Sequence, residues 1–245
     1  MPKFFLPDER EYAVDDLITI EGADANHIAH SLRMKKGDII TLTASNRTEY
    51  ETEISDFTDS SVLLRVLSRF RNDTEPKVFS RLFQALAKGD KMDTVIQKAV
   101  ELGVGEIYPV QSARCVVQLD PKRSDKKLER WQRIAEEAAK QCGRGIIPKV
   151  HSVISFKEAV AEMKKSDLYF LCYETCRENN PKNLFKGCSF SSVSFFIGPE
   201  GGIAPDELLL SHTEGIPDGT LGKLILRTET AASAVLSMLL YETEF

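Results

Sequence analysis

The chain has 245 residues, 42% of them hydrophobic and 28% charged, a composition that suits a globular protein of one large or two modest domains. Its net charge of −5 excludes a protein that coats nucleic acid by bulk electrostatics. The longest nearly apolar run, Ala231 to Leu240, is too short to cross a bilayer, so no membrane partner is expected.

Acidic residues Asp8, Glu9 and Glu11 interrupt the start of the chain, which therefore lacks the apolar core of a secretory signal and reads as cytoplasmic. The five cysteines (Cys115, Cys142, Cys172, Cys176 and Cys188) are odd in number and irregularly spaced, so they give no disulfide framework. Cys172 and Cys176 are the one close pair, and no histidine sits near them. They read as thiols in a reducing compartment, with no metal.

In chain order, residues 1–72 read as a small β-barrel. Ile39–Thr43 and Tyr50–Ile54 flank a polar turn at Ser45-Asn46-Arg47, and Ser61–Leu67 follows a second turn at Asp56–Ser60. His27 and His30 lie three residues apart beside Arg33, without further ligands for a metal, and read as domain surface. The first 75 residues hold 9 Lys and Arg against 15 Asp and Glu, so any contact with nucleic acid must come from local patches. The polar stretch Arg69 to Pro76 reads as a linker.

Strand and helix patterns then alternate. Val78–Leu86 is a strand candidate, and Met92, Val95, Ile96, Ala99 and Leu102 mark one face of a helix closed by Gly103. After a strand at Glu106–Val110, the stripe Leu128, Trp131, Ala135, Ala138 and Cys142 marks a second helix with Ser124 as its N-cap. Residues 122–144 carry eight basic and four acidic side chains, either a solvated helix face or a phosphate contact. Leu168–Tyr173 and Val193–Ile197 are further strands, Pro205 to Gly215 bounds a helix, and Glu229–Glu242 forms the last one. This alternation predicts an α/β domain with a mostly parallel sheet.

The chemistry is concentrated near the C-terminus. Val193-Ser194-Phe195-Phe196 runs into Ile197-Gly198-Pro199-Glu200-Gly201-Gly202, a turn in which missing Cβ atoms let a ligand approach the main chain. Leu221-Gly222-Lys223-Leu224-Ile225-Leu226-Arg227-Thr228-Glu229-Thr230-Ala231 repeats the design, reading as a short strand and a turn that opens a helix. Two such loops on neighbouring strands would build one pocket. The chain has neither a G-x-x-x-x-G-K-[ST] phosphate loop nor a G-x-G-x-x-G fingerprint, and Gly187 to Ser191 misses the G-x-S-x-G pattern at its last position. Arg227 is either a cation at the pocket mouth or a surface residue at a strand end. Glu229 either stabilises a helix N-terminus or pairs with an arginine, and Arg144 reads as a helix-end cation.

Five segments in order carry a family resemblance. These are Met1–Phe5 with His27–Arg33 and Lys36-Gly37-Asp38, Lys88–Met92 with Gln97–Val104, Gln141–Arg144, the glycine turn, and Leu221–Ala231. Together they resemble the bacterial 16S rRNA (uracil-N3) methyltransferases, a branch of the SPOUT methyltransferases. The resemblance implies a PUA-like β-barrel at 1–72 and a SPOUT α/β domain at 77–245 that ends in a trefoil knot. It implies S-adenosylmethionine as cofactor, held by three loops that follow Tyr173, Ile197 and Leu221. The cofactor set is Leu171, Cys172, Tyr173, Ile197, Gly198, Pro199, Glu200, Gly201, Gly202, Leu221, Gly222, Leu224 and Leu226. Arg227, Arg144 and Glu229 are the implied catalytic residues, with Arg144 reaching a partner's site in a homodimer. Arg33, Lys35, Lys36, Lys88 and Lys91 are the implied contacts to 16S rRNA within the assembled small ribosomal subunit. Two alternatives remain, a non-catalytic rRNA-binding assembly protein and a SPOUT enzyme for another RNA position.

Overall fold

The computed structural model describes residues 1–6, 10–118, 121–174, 176, 184–185 and 190–244. The chain forms two compact units, Met1–Glu75 with Ala139–Ile147, and Pro76–Ala138 with Pro148–Phe245.

The first unit is built on a five-stranded sheet of order β1-β3-β4-β5-β2. Its strands are β1 (Lys3–Phe5), β2 (Leu17–Glu21), β3 (Ile39–Thr43), β4 (Thr48–Phe57) and β5 (Ser61–Arg71). β1 runs parallel to β3, and the other neighbours are antiparallel. In β2, Ile18 and Ile20 point inward while Leu17, Thr19 and Glu21 face out, the period of two expected of a half-buried strand. They join Phe4, Ile40, Leu42, Tyr50, Ile54 and Leu64 in one core. Helix Gly22–Asn26 and the π turn His27–Ser31 bury Ala25 and Ile28 and leave His27 and His30 exposed.

The stretch read as a linker is tied down. β5 continues to Arg71, and Asn72 then donates its Nδ2 to Glu49 Oε1 at 2.7 Å and to the Gly143 carbonyl at 3.2 Å. Glu75 accepts from the main-chain N–H groups of Gly145 at 2.9 Å and Ile146 at 3.2 Å. Backbone polar groups need partners, and Asn72 supplies a donor and Glu75 an acceptor, which is why polar composition here does not mean a free linker.

The second unit holds a seven-stranded, all-parallel sheet of order β12-β10-β11-β6-β7-β8, with β9 also pairing with β7. The strands are β6 (Phe79–Ala85), β7 (Glu106–Gln111), β8 (Lys149–Val150), β9 (Ile154–Ser155), β10 (Leu168–Cys172), β11 (Ser192–Ile197) and β12 (Asp218–Gly219). Helices on the sheet faces explain why β6 and β11 read as nearly continuous buried runs. Helix Lys91–Glu101 buries Met92, Val95, Ile96 and Ala99. It ends at Gly103, whose φ is +79°, with Gly103 N–H donating to Val100 O and Val104 N–H to Ala99 O, the Schellman pattern. A Cβ on Gly103 would lie 2.4 Å from Pro76 Cγ, so the position excludes any side chain.

Two expected features differ. Helix Pro121–Cys142 starts three residues before Ser124, which therefore lies inside its first turn and is no N-cap; proline suits a first helical position because it lacks the N–H that would go unpaired there. The run Leu224-Ile225-Leu226 is not a strand. The strand before that loop is the two-residue β12, Leu224 and Ile225 are 80% and 83% exposed, and no strand among the described residues pairs with them. Helix Phe156–Met163, which the sequence pattern left unread, carries a capping box between Ser155 and Glu158. Gly187, Cys188 and Ser189 lie outside the described residues, as does most of the loop after Tyr173 that was expected to help shape the cofactor pocket.

Candidate active site

Strand register brings the loops together. Cys172 pairs with Ile197 on one side and with Gly219 on the other, and Ile197 pairs with Gln84. The chains that leave β10, β11 and β12 therefore emerge level at the carboxyl edge of the sheet, the place where open α/β sheets bind ligands. β10 lies between β11 and β12, so the two glycine-bearing loops flank a third and are not on adjacent strands.

These loops enclose a cavity of about 400 Å³. Of the residues named from sequence, Cys172, Tyr173, Ile197, Gly198, Pro199, Glu200, Gly202, Leu221, Gly222, Leu224, Leu226 and Arg227 line it. Leu171 is buried behind it in the core. Gly201 faces the segment after β7: its carbonyl accepts from Arg114 Nη1 at 3.2 Å, and an added Cβ would meet Arg114 O at 3.0 Å. Gly202 has φ +72°, the left-handed region that favours glycine.

The cavity also takes in Glu174, Ile203, Thr220, Ile225, Thr228, Ala231 and Lys91. Thr220, Ile225 and Thr228 lie within or beside motifs already recognised, so proximity in sequence could have suggested them. Lys91 was expected on an RNA surface. Its Nζ donates to Glu200 Oε1 at 2.8 Å and lies 3.8 Å from Glu229 Oε2. The hydrogen bond to Glu200 raises the Lys91 pKa, with nearby Arg227 opposing. Burial alone would raise the Glu200 pKa, yet the Lys91 ammonium and main-chain donors hold it below the usual value. Burial pushes the Cys172 thiol up, so it is no thiolate nucleophile near neutrality.

The other named residues lie elsewhere. Glu229 lies in the first turn of the last helix, Thr228–Glu244, and touches the site through Lys91; its buried Oε2 has no hydrogen-bond partner among the described residues. Arg144 belongs to the first unit, where its Nη2 donates to Glu75 Oε2 at 2.6 Å and its Nε to Oε1 at 3.3 Å. Arg33, Lys35 and Lys36 are exposed after the π turn, with Lys36 paired to Asp56 at 2.6 Å. Lys88 is exposed in the second unit, and its N–H points to Glu200 at 3.4 Å. Among the described residues no cluster of acidic, histidine and cysteine side chains could hold a metal ion, and no helix is long and apolar enough to cross a membrane.

Comparison with known proteins agrees with this geometry. Residues 74–240 match the RNA methyltransferase domain, and residues 20–67 match the RNA methyltransferase PUA domain. Ribosomal RNA small subunit methyltransferase E of Bacillus subtilis is 35% identical over 232 residues, covering 92% of this chain and 90% of the relative. The protein of the same name from Mesomycoplasma hyopneumoniae is 30% identical, covering 97% and 98%. The crystal structure of ribosomal RNA small subunit methyltransferase E from Neisseria gonorrhoeae, bound to S-adenosyl methionine, superposes with a TM-score of 0.88 at 30% identity and covers 98% of this chain and 97% of that one. A PUA-type N-terminal domain followed by a parallel α/β domain with a glycine-lined cavity thus places the chain in the RNA methyltransferase family.

Proposed function

We propose that this protein transfers a methyl group from S-adenosylmethionine to N3 of a uridine in small-subunit ribosomal RNA. The observation that carries the proposal is the cavity itself, in which three loops end level at one sheet edge around exposed main chain and a guanidinium. The cofactor fits the donor set: Gly198 and Gly202 offer backbone without Cβ atoms, Ile197, Leu221 and Leu226 offer apolar wall, and Glu174 suits a cationic ligand. When bound, S-adenosylmethionine supplies an electrophilic methyl group.

The chain's own residues address the other half of the problem. Uridine N3 carries a proton in its neutral form, and its loss to solvent water spreads negative charge onto the base carbonyls. Arg227, on the cavity wall, stabilises that charge and so favours ionisation. Lys91 adds a second cation whose position is set by Glu200 and Glu229. Glu229 acts in this scheme by holding Lys91, since it does not itself line the cavity. N3 lies on the Watson–Crick edge, so the uridine must be unpaired or extruded. Arg33, Lys35, Lys36 and Lys88 contribute exposed charge toward RNA phosphates. The acidic first unit favours a folded ribosomal surface in the assembled subunit over naked RNA. The enzyme works as a homodimer in the cytoplasm; sedimentation as an active monomer would remove the dimer from the proposal.

Nucleoside mass spectrometry of ribosomes from a deletion strain, before and after addition of the protein and cofactor, tests the reaction. N3-methyluridine should appear only after addition. A protein that binds rRNA but has no saturable site for S-adenosylhomocysteine by calorimetry would be a non-catalytic assembly factor instead.

A further inference from the structure

β6 lies in the interior of the parallel sheet, and Gln84, near its carboxyl end, is fully buried at 0% exposure. An amide in such a place is unfavourable unless hydrogen-bonded. Gln84 Nε2 donates to the Ala85 carbonyl at 3.0 Å and to Thr228 Oγ1 at 2.8 Å. Thr228, also buried, donates its hydroxyl to the Gly198 carbonyl at 2.8 Å. The direction of this chain is fixed. Gly198 O can only accept, so the single hydroxyl proton goes there, and Thr228 Oγ1 must receive its own bond from the Gln84 amide. That orientation leaves Gln84 Oε1 buried without a hydrogen-bond partner among the described residues. A leucine at this position would avoid the unpaired oxygen but would also lose the bond to Thr228.

The last link of this hydrogen-bond chain, Thr228 to Gly198, joins two walls of the cavity. Gly198 opens the glycine turn, and Thr228 directly follows Arg227. We infer that Gln84 and Thr228 are positioning residues, a two-bond relay that fixes the glycine turn and the Arg227 segment at one separation and ties both to the sheet. This inference rests on the methyltransferase reading, because it assigns the relay to the gap between cofactor cradle and methyl-acceptor side. Fixed separation matters for a displacement in which donor and acceptor must be aligned to fractions of an ångström.

The test measures S-adenosylhomocysteine affinity by calorimetry, along with kcat and melting temperature, on the full chain. Thr228→Val should weaken binding about tenfold, the loss expected of a hydrogen bond worth roughly that factor, and lower kcat as well. Thr228→Ser, which keeps the hydroxyl, should recover both. Gln84→Leu should reproduce the valine variant, and it keeps the test standing if Thr228→Val does not fold. The double variant should be no worse than either single one, since the two residues act through each other. Additive losses, or a lowered melting temperature with affinity and kcat unchanged, would overturn the relay. Wild-type protein without saturable binding would overturn the methyltransferase reading and the relay with it, whereas normal wild-type binding with unaffected variants would overturn the relay alone.

Discussion

The Arg144 guanidinium and the Glu75 carboxylate pair at 2.6 Å with side-chain exposures of 5% and 6%. The same carboxylate also accepts from the main chain at Gly145 and Ile146. It is the acceptor for a chain segment that leaves the end of helix Pro121–Cys142, and it makes residues 139–147 part of the first unit. Removing one member of such a pair leaves the other charge buried and alone. Arg144→Ala should therefore destabilise the protein by about 3–5 kcal/mol in urea denaturation. A loss of activity at unchanged stability would instead favour a role for Arg144 in catalysis. A fragment that starts at residue 77 lacks Glu75, so it should lose stability for the same reason.

At the glycine turn, Gly202→Val forces a β-branched residue into the left-handed region, at a cost of about 1–2 kcal/mol. Its Cβ also enters the cavity wall 3.4 Å from Glu174 Oε1. Gly201→Val presses on main chain at Arg114 O, which cannot swing away. Both variants should lose S-adenosylhomocysteine binding while keeping a cooperative unfolding transition. Wild-type affinity in folded Gly202→Val protein would move the cofactor site elsewhere.

Arg227→Ala should separate binding from chemistry. With the guanidinium assigned to the acceptor side, cofactor affinity should change little while kcat falls about 10²–10³-fold, the usual loss for a charge-stabilising donor. A parallel fall in cofactor affinity, measured by calorimetry, would place Arg227 on the cofactor instead.

His151 gives a pH dependence. Its ring stacks on Tyr108 with centroids 3.9 Å apart, and Tyr108 stacks on Phe83 at 4.6 Å. Burial holds the His151 pKa below its ordinary value, against the pull of Glu106, while Lys149 adds to the lowering. Burial and the Glu106 charge push Tyr108 up to about 12, so it stays neutral throughout. Because the folded state resists protonating His151, the stabilisation is complete above about pH 6.5 and is lost as pH falls through the depressed folded value. Urea midpoints should therefore drop as pH falls below about 6.5, and His151→Phe should show a shallower drop. Equal slopes would mean that other groups set the acid sensitivity.

Much of this architecture was legible locally. β6 and β11 announced themselves as largely apolar stretches because most of their residues are buried in a parallel sheet. Helix Lys91–Glu101 showed through its one buried face and through Gly103, where the observed φ of +79° and the Pro76 ring both demand glycine. The turn from Ile197 to Gly202 was readable for the same reason, since a strand followed by residues without Cβ atoms has few other uses. Where local pattern misled, it did so through hydrophobicity alone: Leu224-Ile225-Leu226 has the composition of a strand, but Leu224 and Ile225 stand exposed at the rim of the cavity. Side-chain character states what a residue can bury, and it does not state what will cover it.

The pairings that shape the site were decided by the tertiary structure. Glu75 meets Arg144 across 69 residues, and Gln84 meets Thr228 across 144. No period or spacing connects such partners, because the order β12-β10-β11-β6-β7-β8 is set by how helices and crossovers cover the sheet as a whole. That order puts Cys172, Ile197 and Gly219 in line and converts three separate loops into one cavity. The sequence by itself determined which residues could line a pocket, through the conformational freedom of glycine and the burial of apolar strands. Only the packed sheet decided which of them face each other, since hydrogen bonds act over about 3 Å and depend on positions that the whole fold must fix.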